Sequence, residues 1–166
     1  MNATNPRVEA IRQQMHTEFE ELLQLIDQHI ATRDQQVLYQ IPTQDEWTIT
    51  ESLAHIVEFM TYWSNEIAKL VEHPGQNFGR TKEDTNRIRA IEEHSHDALN
   101  QMRIALPDSY GYMDDILKHL KDSDLEIPGY HVRFKEQTVG WFIKEFLTDH
   151  LENHIVQLRE ALALLK

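Results

Sequence analysis

Apolar residues in this chain recur at intervals of three and four, and that spacing commits it to amphipathic helices more firmly than any other feature. From Arg7 to about Thr32 they fall at Val8, Ile11, Met15, Phe19, Leu22, Leu23, Ile26 and Ile30, with charged residues between. Thr48-Ile49-Thr50-Glu51 then reads as a capping box, in which threonine and glutamate side chains satisfy two backbone N–H groups at a helix start. It opens a second helix with the stripe Ile49, Leu53, Ile56, Met60, Trp63, Ile67 and Leu70. His73-Pro74-Gly75 stops that helix, because proline cannot continue the hydrogen-bond ladder. A third helix is expected from about Lys82 to Leu106, closed by Pro107. Tyr112 to Leu120 reads as one short helix, Leu125 to Phe134 as an ordered loop, and a fourth long helix runs from Glu136–Thr138 almost to Lys166. No stretch is apolar all round, so the helices can bury their stripes only against one another. The expected architecture is an all-α four-helix bundle, one domain over residues 1–166, with the short extra helix in the connection between helices 3 and 4.

Charge and composition exclude several classes of function. With 16 Lys and Arg against 28 Asp and Glu, the formal charge of -12 repels phosphate backbones and anionic lipid, so neither nucleic acid nor membrane is an expected partner. The chain has no cysteine, which rules out disulfides and thiolate metal sites and requires any reactive thiol to come from another molecule. The polar start from Met1 to Arg7 and the absence of a long apolar run make the cytoplasm the expected location.

The fourth helix carries the informative anomaly. Stepping back from Leu158 by fours gives His154, His150 and Phe146, which places two imidazoles on the apolar side. A buried imidazole needs hydrogen-bond or metal partners, since unpaired nitrogens in an apolar setting cost about 1–3 kcal/mol. Two histidines four residues apart can share one metal ion, and they can equally be satisfied core histidines. A third ligand must come from another helix: His55, beside the stripe of the second helix, and His94, at the edge of the third, both qualify. His16, His29, His73, His96, His119 and His131 fall on polar faces or loops and read as solvated. In His150-Leu151-Glu152-Asn153-His154 the glutamate stands one position too late for a zincin, and Glu93-x-x-His96 is a lone, mostly polar copy of a di-iron motif that needs two. Neither a phosphate-binding glycine loop nor a nucleophile elbow is present. Glu51, one turn before His55, could orient it or act as a base but is already explained by capping. Asp149 faces away from His150, and Trp47 is the aromatic expected nearest the site. Arg80 could clamp an anionic substrate but as a lone loop arginine is expected in solvent.

Trp47-Thr48-Ile49-Thr50-Glu51-Ser52-Leu53-Ala54-His55 and Asp149-His150-Leu151-Glu152-Asn153-His154, with the helix pattern between them, resemble the DinB-like family of metal-binding helical bundles, also called YfiT-like. The resemblance covers nearly the whole chain. It implies an up-down-down-up helix order, a frequent homodimer, and a divalent ion, commonly nickel or zinc, on His55, His150 and His154. It thereby favours His55 over His94. Some members of the family are transferases or isomerases that use low-molecular-weight thiols, so the resemblance implies a small-molecule substrate, with a metal-activated water or thiolate as nucleophile in a hydrolase or thiol-dependent transferase. The alternative is a non-catalytic dimeric or ligand-binding bundle in which the same histidines hold a structural ion or hydrogen-bond one another.

Overall fold

The computed structural model describes residues 4–165. The polar start at Met1–Arg7 lies partly outside them, and Lys166 lies outside them altogether. Helix α1 (Pro6–Leu25) starts with proline in its first turn, where the missing N–H has no partner to lose, and runs on into a π turn at Ile26–Ile30. Helix α2 (Ile49–Glu72) opens on the expected capping box: Glu51 N–H donates to Thr48 Oγ1 at 3.1 Å, and Thr48 N–H donates to Glu51 Oε2 at 2.8 Å.

The third expected helix is in fact two. Helix α3 (Thr85–His94) is capped by Asp84, and α4 (Leu99–Lys118) begins after a break at which Ala98 is extended and donates its N–H to the Gln101 side chain at 2.7 Å. Pro107 does not close a helix either, because α4 passes through it and absorbs most of the short helix expected at Tyr112–Leu120. Pro107 and Arg103 both lie on the exposed face of α4, so the carbonyl deprived of its donor is open to water.

The connection to the last helix holds a short 3-10 helix (Asp122–Glu126), and the segment expected as an ordered loop includes strand β1 (Pro128–His131), paired antiparallel with β2 (Lys135–Thr138). Residues 75–78 run along the free edge of β1, with Gly75 N–H on the Pro128 carbonyl and Phe78 N–H on that of Tyr130, both at 2.8 Å. The last helix is continuous through α5 (Val139–Ile143), a π turn at Lys144–Thr148, and α6 (Asp149–Leu164).

Side-chain contacts fix the helix directions. Ser109 Oγ donates to the Val57 carbonyl and Tyr112 Oη to Asn65, so α2 and α4 run parallel. Arg12 pairs with Asp114 and Arg103 with Asp27, which sets α1 antiparallel to α4. Trp63 against Phe146 and His55 against His150 set α2 antiparallel to the last helix, which leaves that helix parallel to α1, where Arg159 pairs with Glu21. The order is therefore up, down, down, up, and the parallel step requires the long crossover that α3 occupies. Central in the bundle, α2 buries both its stripe and flanking residues such as Ser52, His55 and Phe59. Near its C-terminal half the core is aromatic: Trp63 stacks on Phe146 at 3.9 Å and Phe78 on Phe142 at 4.1 Å, pairs worth about 0.5–1.5 kcal/mol each beyond their burial.

Gly79 joins this aromatic cluster to the loop that follows. Its φ is +75°, and a β-carbon there would lie 2.8 Å from Cη2 of Trp63. Gly79→Ala is therefore expected to destabilise the fold by about 2 kcal/mol, read as a lower urea midpoint with unchanged slope.

Candidate metal centre

His55 enters the bundle from the second turn of α2, and His150 and His154 from consecutive turns of α6. The antiparallel packing of the two helices points all three Nε2 atoms at one another. His55 Nε2 lies 3.1 Å from His150 Nε2, which lies 3.2 Å from His154 Nε2. Two nitrogens sharing an ion at about 2.0–2.1 Å stand roughly 3.0–3.4 Å apart, so these separations suit a common cation. No fourth histidine, aspartate or glutamate joins the cluster among the described residues, which leaves three donors. His55 and His154 are buried, His150 half-buried, and the Nδ1 atoms of His55 and His154 have no hydrogen-bond partner.

Burial is the main reason that the three imidazoles are hard to protonate. It lowers His55 to about 2 and His150 and His154 to about 3, with a neighbouring ring of the cluster and Arg87 adding repulsion. All three are neutral at physiological pH and have a lone pair to offer, as a metal-binding imidazole requires. Trp47 closes one side, edge-on to His55 with ring centres 4.9 Å apart and stacked on His154 at 6.2 Å. Phe59 closes another, 4.6 Å from His150.

Behind His55 stands a group that the periodicity of α2 did not single out. Glu58 Oε2 lies 3.7 Å from His55 Nδ1, while its other oxygen is paired with Arg80. The signal in the sequence was the His55-x-x-Glu58 spacing, which puts both side chains on one face of the helix. Arg80, expected in solvent, is instead only 9% exposed: it pairs with Glu58, approaches Asp84 at 3.6 Å and lies over the Tyr62 ring at 3.6 Å. His131, also read as solvated, is buried between the hairpin and the loop. Its Nε2 donates to the Arg80 carbonyl at 3.1 Å and its Nδ1 accepts from Arg133 N–H at 3.1 Å, so neutral His131 ties the two segments together.

The other six histidines lie outside the cluster. His94 is exposed and bonded to Asp97, which removes it as a ligand, and His16, His29, His73, His96 and His119 are exposed. Glu93 and Glu152 are on the surface, Asp149 pairs with Lys144, and Glu51 is occupied in its cap. A cavity of about 660 Å³ opens onto His55 and His150 between the last helix, the hairpin and residues 80–87, and a hollow of about 390 Å³ reaches His154 past Trp47.

An antiparallel helix pair that converges three neutral imidazoles, two of them lining a side cavity, defines the chain as a helical bundle with a candidate tris-histidine metal centre. The chain belongs to the DinB superfamily, whose family model matches residues 9–158. Among solved structures it is similar to YfiT from Bacillus subtilis, described as a probable metal-dependent hydrolase with an unusual four-helix bundle topology. The TM-score is 0.75 at 12% identity, over 96% of this chain and 88% of that one. It is also similar to a Streptococcus pneumoniae protein, with a TM-score of 0.64 at 13% identity over 96% of this chain and 91% of that one. No curated protein matches it in sequence. None of the described helices is long and apolar enough to cross a membrane.

Between about pH 6.5 and pH 3 the unfolded chain takes up protons that the folded cluster refuses, so these groups cost stability as the pH falls. Glu18, raised to about 7 mainly by burial, acts in the opposite sense over about pH 4.5 to 7. In chelator-treated protein, His154→Phe is expected to make the acid-side loss shallower by up to about 1.4 kcal/mol per pH unit, measured by urea unfolding at pH 7, 6 and 5.

Proposed function

We propose that this chain is a metal-dependent enzyme in which His55, His150 and His154 hold one divalent ion, nickel or zinc before others. The convergence of three neutral Nε2 atoms on one point carries this reading. A neutral Nε2 either donates one proton or accepts through one lone pair, so three of them at 3.1 and 3.2 Å cannot all be paired. A shared cation takes up all three lone pairs. An ion held by three nitrogens supplies a Lewis acid with open positions that lowers the pKa of a water or thiol toward neutrality.

The chain's own residues supply position. The Glu58 carboxylate, 3.7 Å from His55 Nδ1, favours the tautomer with the proton on that nitrogen, which presents Nε2 as a donor atom. Arg80 holds Glu58 in place, and Trp47 and Phe59 restrict the rings to the observed orientation. Hydrolysis of a small molecule in the adjoining cavity is the favoured reaction, in keeping with the description of YfiT. Transfer to a low-molecular-weight thiol is the second reading. The cysteine-free chain would take that thiol from outside. A purely structural ion is disfavoured because no fourth donor closes the cluster among the described residues.

Protein purified without a histidine tag is expected to carry close to one divalent ion per chain. His150→Ala with His154→Ala should remove it while the circular dichroism stays helical. Negligible nickel, zinc, iron and manganese in the wild type would sink the proposal. Glu58→Gln, which keeps the shape and loses the charge, is expected to weaken the metal about tenfold or more, measured by competition with a chromogenic chelator.

A further inference from the structure

The cavity beside the histidines is basic although the chain as a whole is strongly acidic. Arg80, Lys82, Arg87 and Arg133 line it, against Glu83 and Glu145. Two of these cations differ in what they are bound to. Arg80 is already neutralised by Glu58 and Asp84. Arg87 is half-buried and has no carboxylate within ion-pair distance among the described residues; its Nη1 donates to the Lys82 carbonyl at 3.0 Å. Its Cζ lies 5.2 Å from the centre of the Trp47 ring, the same ring that packs on His55 and His154. Its backbone is fixed too, because its N–H donates to the Asp84 side chain that caps α3.

A half-buried guanidinium with no carboxylate at ion-pair distance leaves its charge open to an added anion. Its charge is felt at the cluster, for Arg87 contributes to the low pKa of all three imidazoles. Part of the wall is apolar: Trp63, Val132, Phe134 and Phe146 face the same cavity. At about 660 Å³ the cavity suits a small molecule, and a net charge of -12 keeps polyanions away.

We propose that the cavity selects small organic anions, with Arg87 binding a carboxylate or phosphoryl-type group and the aromatic wall taking the apolar remainder. The proposal rests on the reading of His55, His150 and His154 as the reacting end of that cavity. Arg80 is the positioning residue on the same wall, and Lys82 and Arg133 at the exposed rim attract the anion without fixing it.

The experiment is calorimetric titration of chelator-treated protein with phenylphosphonate and with its neutral dimethyl ester, which removes direct binding to metal from the comparison. Wild type is expected to prefer the anion by about tenfold or more. Arg87→Gln should abolish that preference, Arg87→Lys should keep part of it, and Arg133→Gln should change it less than about threefold. No preference in the wild type, or a preference that survives in Arg87→Gln, overturns the proposal, and the wild-type comparison decides alone if a variant does not fold. Metal content is measured on the untreated protein from the same preparations. An empty wild type that still prefers the anion removes the metal reading and leaves the anion site standing, whereas a metal-loaded wild type without preference removes only the anion site.

Discussion

The antiparallel contact between α2 and the last helix governs the rest of this molecule. It brings a ring from one helix and two rings from another to nitrogen separations of 3.1 and 3.2 Å inside the core. Three neutral imidazoles cannot all satisfy one another there, since each Nε2 is either a donor or an acceptor. Nearby structure holds them regardless. The capping box sets where α2 begins and hence the height of His55, Trp47 packs across two rings, and the Phe78–Phe142 and Trp63–Phe146 stacks lock the other end of the helix pair.

Around this centre, charge is arranged in layers. The chain as a whole is acidic, the cavity wall is basic, and the ion pair of Glu58 with Arg80 joins that wall to His55. A buried ion pair is costly to break from one side, by about 3–5 kcal/mol, so Glu58 and Arg80 depend on each other for their position. His131 extends the chain of dependence to the hairpin. Through its two ring nitrogens it links the Arg80 carbonyl to the turn at Arg133, which makes one wall of loop and hairpin.

How much of this was legible in the sequence depended on range. The pair His150 and His154 was readable because its geometry is local to one helix, and so was the capping box. The inward course of His55 was not, because an apolar stripe describes a helix with one buried face, and α2 is surrounded on several sides. Only the family resemblance placed it with the other two. Pro107 misled for a related reason: proline ends a helix when its neighbours need the lost donor, and on a wet face they do not. Arg80 and His131 could not be read at all, since their partners Glu58, Tyr62 and the Arg133 backbone are more than 15 residues away or across a hairpin turn. The family model over residues 9–158 then fixes the membership that two short motifs had suggested.

The π turn at Lys144–Thr148 separates the aromatic half of the last helix from its imidazole half. Such a turn is equivalent to one residue inserted into a regular helix, and each residue advances an α-helix by about 100°. The angular phase of Phe142 and Phe146 relative to His150 and His154 is therefore an adjustable joint rather than a fixed consequence of spacing. Loss of one residue at the joint would swing the guest-facing wall around the helix axis while leaving the paired rings in register with each other. The same backbone can thus be retuned for differently shaped guests without rebuilding the centre itself.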